Sequence, residues 1–308
     1  MMFLGVDTSC YTTSLAVIDA QGRLLSEARK LLAVPHGERG LRQSDGVFQH
    51  LQHLPELVAV LTKEIGPLRL QAVAASTRPR PLIGSYLPVF TAGVSFARSL
   101  ASAFDVPFFE LSHQEGHLLA GLWSAGVEWQ NFYVVHLSGG TTEVLAVDAK
   151  EELLLSQLGG TEDLHAGQFI DRVGVALGLS FPAGPSLEEL GACAGPAPLA
   201  VPVAVRGGIL SFSGPESHVQ RALLQGARPA DAARGVEHCV AQSVWRVLEN
   251  IAREHGVKPV LFVGGVMANS YIRSFLAKKI GNNAAFASVE FAGDNAVGAA
   301  LFAHKFTC

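Results

Sequence analysis

Charge is scarce in this chain, and its apolar residues never gather into one long run. Asp, Glu, Lys and Arg make up 16% of the 308 residues against 49% hydrophobic ones, which excludes a disordered or solvating polymer and implies a large buried core. No run approaches the roughly 18 apolar residues of a membrane span. The opening "MMFLGVDTS" has no basic region and reaches Asp7 too early for a signal peptide. The expectation is a cytoplasmic protein with no membrane partner. Cysteine is sparse as well: Cys10, Cys193, Cys239 and Cys308 are scattered without a C-x-x-C pair. That spacing excludes a zinc knuckle and a disulfide framework and leaves buried thiols as the expectation. A net charge of −4 excludes a protein whose main task is gripping a nucleic-acid backbone, so any RNA contact must be local or assisted by a partner.

What is present begins with a repeat. "FLGVDTSCYTTSLAVID" (3–19) and "YVVHLSGGTTEVLAVD" (133–148) both run apolar strand, small polar turn, apolar strand, Asp. Each reads as a β-hairpin whose Ser, Thr and Gly tip lets backbone N–H groups approach an anion. Around them strands and helices alternate, as in an α/β protein of one large or two medium domains. Strand patterns cover 70–76 and 106–111, and helical patterns cover 86–104, 168–179 and 231–256. A Pro- and Gly-rich loop with a short helix spans 180–198. A buried strand at 259–265 enters Gly264-Gly265 and a helix at 266–280, and a small-residue helix starts at Asp294. Strand, Gly-Gly, helix is a weak nucleotide-turn signal, since it is not G-x-G-x-x-G.

The chemistry-bearing pattern is "SHQEGHLLAGL" (112–122), with His113 and His117 four positions apart in a helical stretch. Residues at that spacing lie one above the other, so two imidazoles could share a divalent ion, while Glu115 points away from their face. Eleven histidines in 308 residues give about 0.4 such pairs by chance, so the pair needs a third ligand to carry weight. It is not the zincin H-E-x-x-H, whose Glu directly follows the first His.

Taken together, these blocks resemble one family, the tRNA threonylcarbamoyladenosine transferases (TsaD-like), formerly grouped as O-sialoglycoprotein endopeptidases or glycoproteases. The resemblance covers nearly the whole chain. It runs through "GVDTSC" (5–10), "RPLIGSYLPVFTAGVSFARSLA" (80–101), "SHQEGHLLA" (112–120), "LSGGTTEVL" (137–145), "GQFIDRVGVALGLSFPAGPSLEEL" (167–190), "SFSG" (211–214), "VGGVMANSYIR" (263–273) and "GDNAVGAA" (293–300). It implies an α/β, two-lobed actin/sugar-kinase/Hsp70 ATPase-like fold with duplicated ribonuclease-H-like lobes and a nucleotide between them. The first lobe is expected at 1–112 plus 294–308, the second at 113–293.

The same resemblance implies that His113, His117 and Asp294 hold one divalent metal, iron or zinc. It further implies an adenine nucleotide (ATP, ADP or an acyl-adenylate). Ser138, Gly139 and Gly140 are expected near its phosphates, Asp171 at the ribose, and Gly184 and Asn269 on the base side. The implied activity moves a threonylcarbamoyl group from its adenylate to N6 of adenosine in tRNA, with protein subunits of a tRNA-modification complex as partners.

The chain departs from the family pattern where a substrate would sit. The usual C-D-E-T reads Cys10-Tyr11-Thr12-Thr13, so both carboxylates are missing, and neither Tyr nor Thr replaces an acid at neutral pH. "SGGHT" has become "SGGTT" with Thr141, the "GPGL" loop has become Arg80-Pro81-Leu82 after Arg78-Pro79, and the Lys of "SGLKT" is Glu216. Three functions remain open: the transferase, a non-catalytic paralogue serving as a nucleotide-binding regulatory or complex-forming subunit, and a metallopeptidase. The last ranks lowest, because no Glu stands beside the first His to activate a metal-bound water. The catalytic residues of this chain are not legible in its sequence.

Overall fold

The structure is a computed structural model that describes residues 1–9, 11–34, 41–149 and 153–307. It divides into two compact units, 1–124 with 293–308 and 125–292.

The first unit contains β1 (Met2–Asp7), β2 (Thr12–Asp19), β3 (Leu24–Leu31), α1 (Gln43–Ile65), β4 (Leu70–Arg78), α2 (Phe90–Phe104), β5 (Phe108–Ser112) and α3 (His113–Ala125). The second contains β6 (Asn131–Leu137), β7 (Thr142–Asp148), β8 (Leu154–Thr161), α4 (Ala166–Ala176), α5 (Gly184–Ala192), β9 (Ala204–Arg206), β10 (Ile209–Ser211) and α6 (Ser213–Leu224). It continues through α7 (Pro229–His255), β11 (Val260–Val263), α8 (Ser270–Ile280), β12 (Ala284–Phe286) and α9 (Val289–Ala292). The chain then returns to the first unit with α10 (Val297–Lys305).

The first sheet runs β3-β2-β1-β4-β5, with antiparallel pairing among β1 to β3 and parallel pairing of β1 with β4 and of β4 with β5. The second sheet holds the same order, β8-β7-β6-β11-β12, with the same directions, and adds β10 and β9 beyond β8. The hairpin repeat seen in the sequence is therefore the visible part of a repeated five-strand topology. Gly5 marks where α10 crosses β1 closely, because a side chain there would collide with the backbone of Ala296 and Ala300. On the opposite face Leu4 and Val6 pack with Leu54, Leu57 and Leu61 of α1 and Ala97 and Ala101 of α2. Burial on both faces is why β1 reads as an unbroken apolar run instead of an alternating one.

In the second unit α7 supplies an apolar stripe, Val236, Val240, Val244, Val247 and Ile251, against Tyr133, Val135 and Leu137 of β6 and Phe262 of β11.

Several local expectations shift. The helix expected from 86 starts at Phe90, after Pro88. The helix expected over 266–280 is split: Gly265–Ala268 form a 3₁₀ turn, and α8 begins after Asn269, whose side chain accepts from the Ile272 amide at 2.9 Å. The last helix begins at Val297, not Asp294, because Asn295 Oδ1 accepts from the Val297 amide at 3.0 Å. Buried thiols hold for Cys239 but not for Cys193, which is exposed at the end of α5, and Cys10 and Cys308 lie outside the described residues. The first unit also takes in α3, whereas the sequence reading divides the chain after residue 112. The reason is contact: Gly298 of α10 rests on the Gly116 backbone so closely that a side chain would overlap its carbonyl. Among the described residues no helix is long and apolar enough to cross a membrane.

Candidate metal centre and nucleotide face

A capping box starts α3. The Glu115 amide donates to Ser112 Oγ at 3.2 Å, and the Ser112 amide donates to Glu115 Oε2 at 2.6 Å. Glu115 is thereby committed to the helix end, in keeping with its expected direction away from the histidines. The cap sets His113 and His117 on one face, with their Nε2 atoms 3.0 Å apart. The Gly298–Gly116 crossing then brings the segment before α10 alongside, and Asp294 Oδ1 lies 3.4 Å from His113 Nε2 and 3.3 Å from His117 Nε2. One donor atom from each of the three residues falls within 4.8 Å of the others.

Behind this set stands a residue the sequence reading did not single out. Asp7, at the end of β1 and only 2% exposed, accepts from His113 Nδ1 at 2.9 Å. It also accepts from Ser76 Oγ at 2.5 Å and from the Ser9 amide at 2.9 Å. An ionised carboxylate at Nδ1 holds a proton there and makes Nε2 the nitrogen directed at the donor set. The available signal was the rule that a metal-bound histidine needs a partner on its other nitrogen. Burial works against charge on His113, yet the charges of Asp7 and Asp294 and their hydrogen bonds outweigh it and raise its pKa well above the usual imidazole value. Burial likewise opposes ionisation of Asp294, but hydrogen bonds and charge from His113 and His117 hold its carboxyl well below the ordinary range. Two carboxylates around one imidazole pair favour a positive charge at this point, and the N/N/O donors suit a divalent ion such as zinc or iron.

The nucleotide candidates all lie in the second unit. Ser138, Gly139 and Gly140 form the β6–β7 turn, which sits on the start of α4: the Gly167 amide donates to Ser138 O at 3.1 Å and the Ala166 amide to Thr142 Oγ1 at 2.8 Å. Gly167 is required there, since a side chain would strike Ser138 and Gly139. Gly139 and Gly140 face open space. Asp171, also on α4, accepts from the Ala183 amide at 2.8 Å, which ties it next to Gly184. Burial raises the Asp171 pKa and the Ala183 hydrogen bond partly offsets the rise. Gly264 (φ 96°) abuts Leu137 at the end of β6, so the Gly-Gly turn and the Ser-Gly-Gly turn are neighbours, and Gly265 is open. Asn269 caps α8 and also donates to Glu237 Oε1 at 2.6 Å, while Ser270 donates to Glu188 of α5.

The altered hairpin has its own geometry. Tyr11 holds a left-handed backbone (φ 76°) and is exposed, whereas Thr12 is buried in β2. Thr13 Oγ1 lies between the Nδ1 atoms of His50 at 2.8 Å and His53 at 3.1 Å. Positions 11 and 12 themselves carry a phenol and a hydroxyl in place of the two acids.

Two sheets of one strand order, each opening with a hairpin, have the topology of the actin-like ATPase fold. The structure resembles the activator of 2-hydroxyisocaproyl-CoA dehydratase from Clostridium difficile with bound ADPNP (TM-score 0.59, 16% identity, 100% of this chain and 96% of that one). It also resembles a ROK family glucokinase from Streptomyces griseus in complex with glucose and AMPPNP (TM-score 0.55, 14% identity, 99% and 100%). At such identities the likeness concerns the fold alone. The sequence is more specific: the family model for TsaD, tRNA N6-adenosine threonylcarbamoyltransferase, matches residues 44–301. An enzyme of that name from Thermus thermophilus is 33% identical over 273 residues, 87% of this chain and 82% of the relative. The chain belongs to the tRNA N6-adenosine threonylcarbamoyltransferase family.

Proposed function

We propose that this chain is a metal- and adenine-nucleotide-binding member of the family in which the ligand scaffold is kept and the transfer chemistry is lost. Its role is that of a nucleotide-binding regulatory or complex-forming subunit in tRNA modification. The observation that carries the reading is the convergence of His113, His117 and Asp294, with Asp7 holding the His113 tautomer. When bound, a divalent ion there supplies Lewis acidity to a phosphate or carbonyl oxygen, and three protein donors leave positions open for it. Glycines facing open space beside α4 and α5, and two structural relatives whose ligands are ADPNP and AMPPNP, support the nucleotide. The lost acids at Tyr11 and Thr12 argue against transfer. The identity to the Thermus thermophilus enzyme favours the transferase as the second reading. A peptidase finds no support, because Glu115 is engaged by the Ser112 amide.

Elemental analysis of the purified protein should find about one divalent transition metal per chain. ATP or ADP with metal should raise the melting temperature, since a ligand specific to the folded state stabilises it, and Asp171→Ala should diminish that rise. Metal-free wild-type protein, or no shift with millimolar nucleotide, would overturn the reading.

A further inference from the structure

Glu237 is fully buried at 0% exposure in the middle of α7. Burial pushes its carboxyl up to about 7, while the Asn269 hydrogen bond and the Arg234 charge pull the other way. Arg234 Nη1 lies 2.7 Å from Glu237 Oε2, its Nε donates to Gly191 O at 3.1 Å, and its guanidinium stacks 4.1 Å over the Tyr271 ring. Even Gly191 is fitted to the carboxylate, since a side chain there would crowd Glu237 Oε2 at 2.7 Å. A buried ion pair of this kind is seldom the most stable choice, and apolar residues of like volume commonly do as well or better. What it does locally is grip one side chain. Asn269 Oδ1 accepts from the Ile272 amide, and Asn269 Nδ2 donates to Glu237 Oε1.

An amide has two N–H donors and two oxygen lone pairs. With one of each taken, a flip of the Asn269 amide would set its NH₂ against the Ile272 N–H and its oxygen against the Glu237 carboxylate, so the amide is held in one orientation. It has one N–H and one lone pair left. Adenine presents an acceptor (N7) beside a donor (N6–H), whereas guanine presents two acceptors (N7 and O6), so an amide fixed in this way complements adenine and opposes guanine. A free amide could swing its NH₂ group toward both guanine acceptors.

We infer that Glu237 is a positioning residue that locks the Asn269 amide and thereby selects an adenine over a guanine base. The inference rests on the nucleotide reading above, and it adds the residue that sets base specificity.

The test is competitive titration of ATP and GTP, with metal, against wild-type protein and the variants Glu237→Met, Glu237→Asp and Glu237→Gln, each checked for a cooperative melt. Wild type should prefer ATP by about 30-fold, the size expected of one two-point base contact. Glu237→Met removes the acceptor at similar volume, and Glu237→Asp withdraws it by one methylene; both should bring the preference to within about 3-fold. Glu237→Gln keeps an acceptor for Asn269 and should retain most of the preference. Should Glu237→Met fail to fold, Glu237→Asp carries the comparison. A purely structural role would weaken both nucleotides and leave their ratio unchanged, which would overturn the inference. Equal binding of ATP and GTP by wild type would overturn it too, with the nucleotide reading intact. Absence of any nucleotide binding by wild type would overturn that reading and this inference together.

Discussion

The Asp7 carboxylate meets the Nδ1 of His113 at 2.9 Å, across 106 positions of sequence. The contact occupies Nδ1 and directs Nε2 toward His117 and Asp294, the candidate metal donors. Asp7→Ala should therefore lower metal affinity by about 10- to 100-fold, the usual cost of losing a partner behind a ligand. His113→Ala or Asp294→Ala should abolish binding. Glu115→Ala should largely keep the metal while costing about 1 kcal/mol through the lost helix cap. Dialysis against graded chelator, followed by elemental analysis, separates these outcomes. An Asp7→Ala protein that holds metal as tightly as wild type would refute the assignment.

Gly298 and Gly116 form the crossing through which Asp294 reaches the histidines. A side chain at 298 would overlap the Gly116 carbonyl, so Gly298→Ala must push α10 off α3. We expect a loss of about 1–3 kcal/mol in stability, typical of overpacking, together with weakened metal binding. Denaturant midpoints and metal content report the two effects. An unchanged midpoint would show that the crossing relaxes without strain.

The pH dependence of stability should carry the mark of His50. Burial lowers its pKa from 6.5 to about 4, although the Asp7 charge favours the cation. A base depressed in the folded state contributes stability that is complete above the unfolded value of 6.5 and is lost as pH falls toward 4. The contribution at stake is about 3 kcal/mol. Urea unfolding at mildly alkaline, neutral and acidic pH should thus show a shallower acid decline for His50→Gln than for wild type. Parallel profiles for the two proteins would count against a neutral buried His50.

The loss of the two acids on the first hairpin predicts the catalytic outcome. Given tRNA, donor adenylate and the family's partner subunits, this protein should form no threonylcarbamoyladenosine. Tyr11→Asp combined with Thr12→Glu should restore little, because Tyr11 holds a left-handed backbone and Thr12 is buried in its strand, and catalysis tolerates little misplacement. Mass spectrometry of tRNA nucleosides decides it: clear product from wild type would establish the transferase reading instead.

Much of this protein is written locally. Strand runs such as 70–76, the helix over 231–256 and the two hairpins follow from periodicity and turn chemistry, which need only near neighbours in the chain. The i, i+4 spacing of His113 and His117 is equally local, and so is the Ser112-x-x-Glu115 capping signature. Helix boundaries near 269 and 297 were less legible, since Asn269 and Asn295 compete for the backbone with their side chains. The tertiary structure alone decided the partners of buried polar groups. Asp7 beneath His113, Asp294 beside both histidines, and Glu237 gripping Asn269 join residues far apart in sequence. Nothing in local spacing encodes such pairings, because a carboxylate's partner is set by which backbones approach closely, here through Gly116 and Gly298 or Gly191 and α7, and by the cost of leaving a buried charge unpaired.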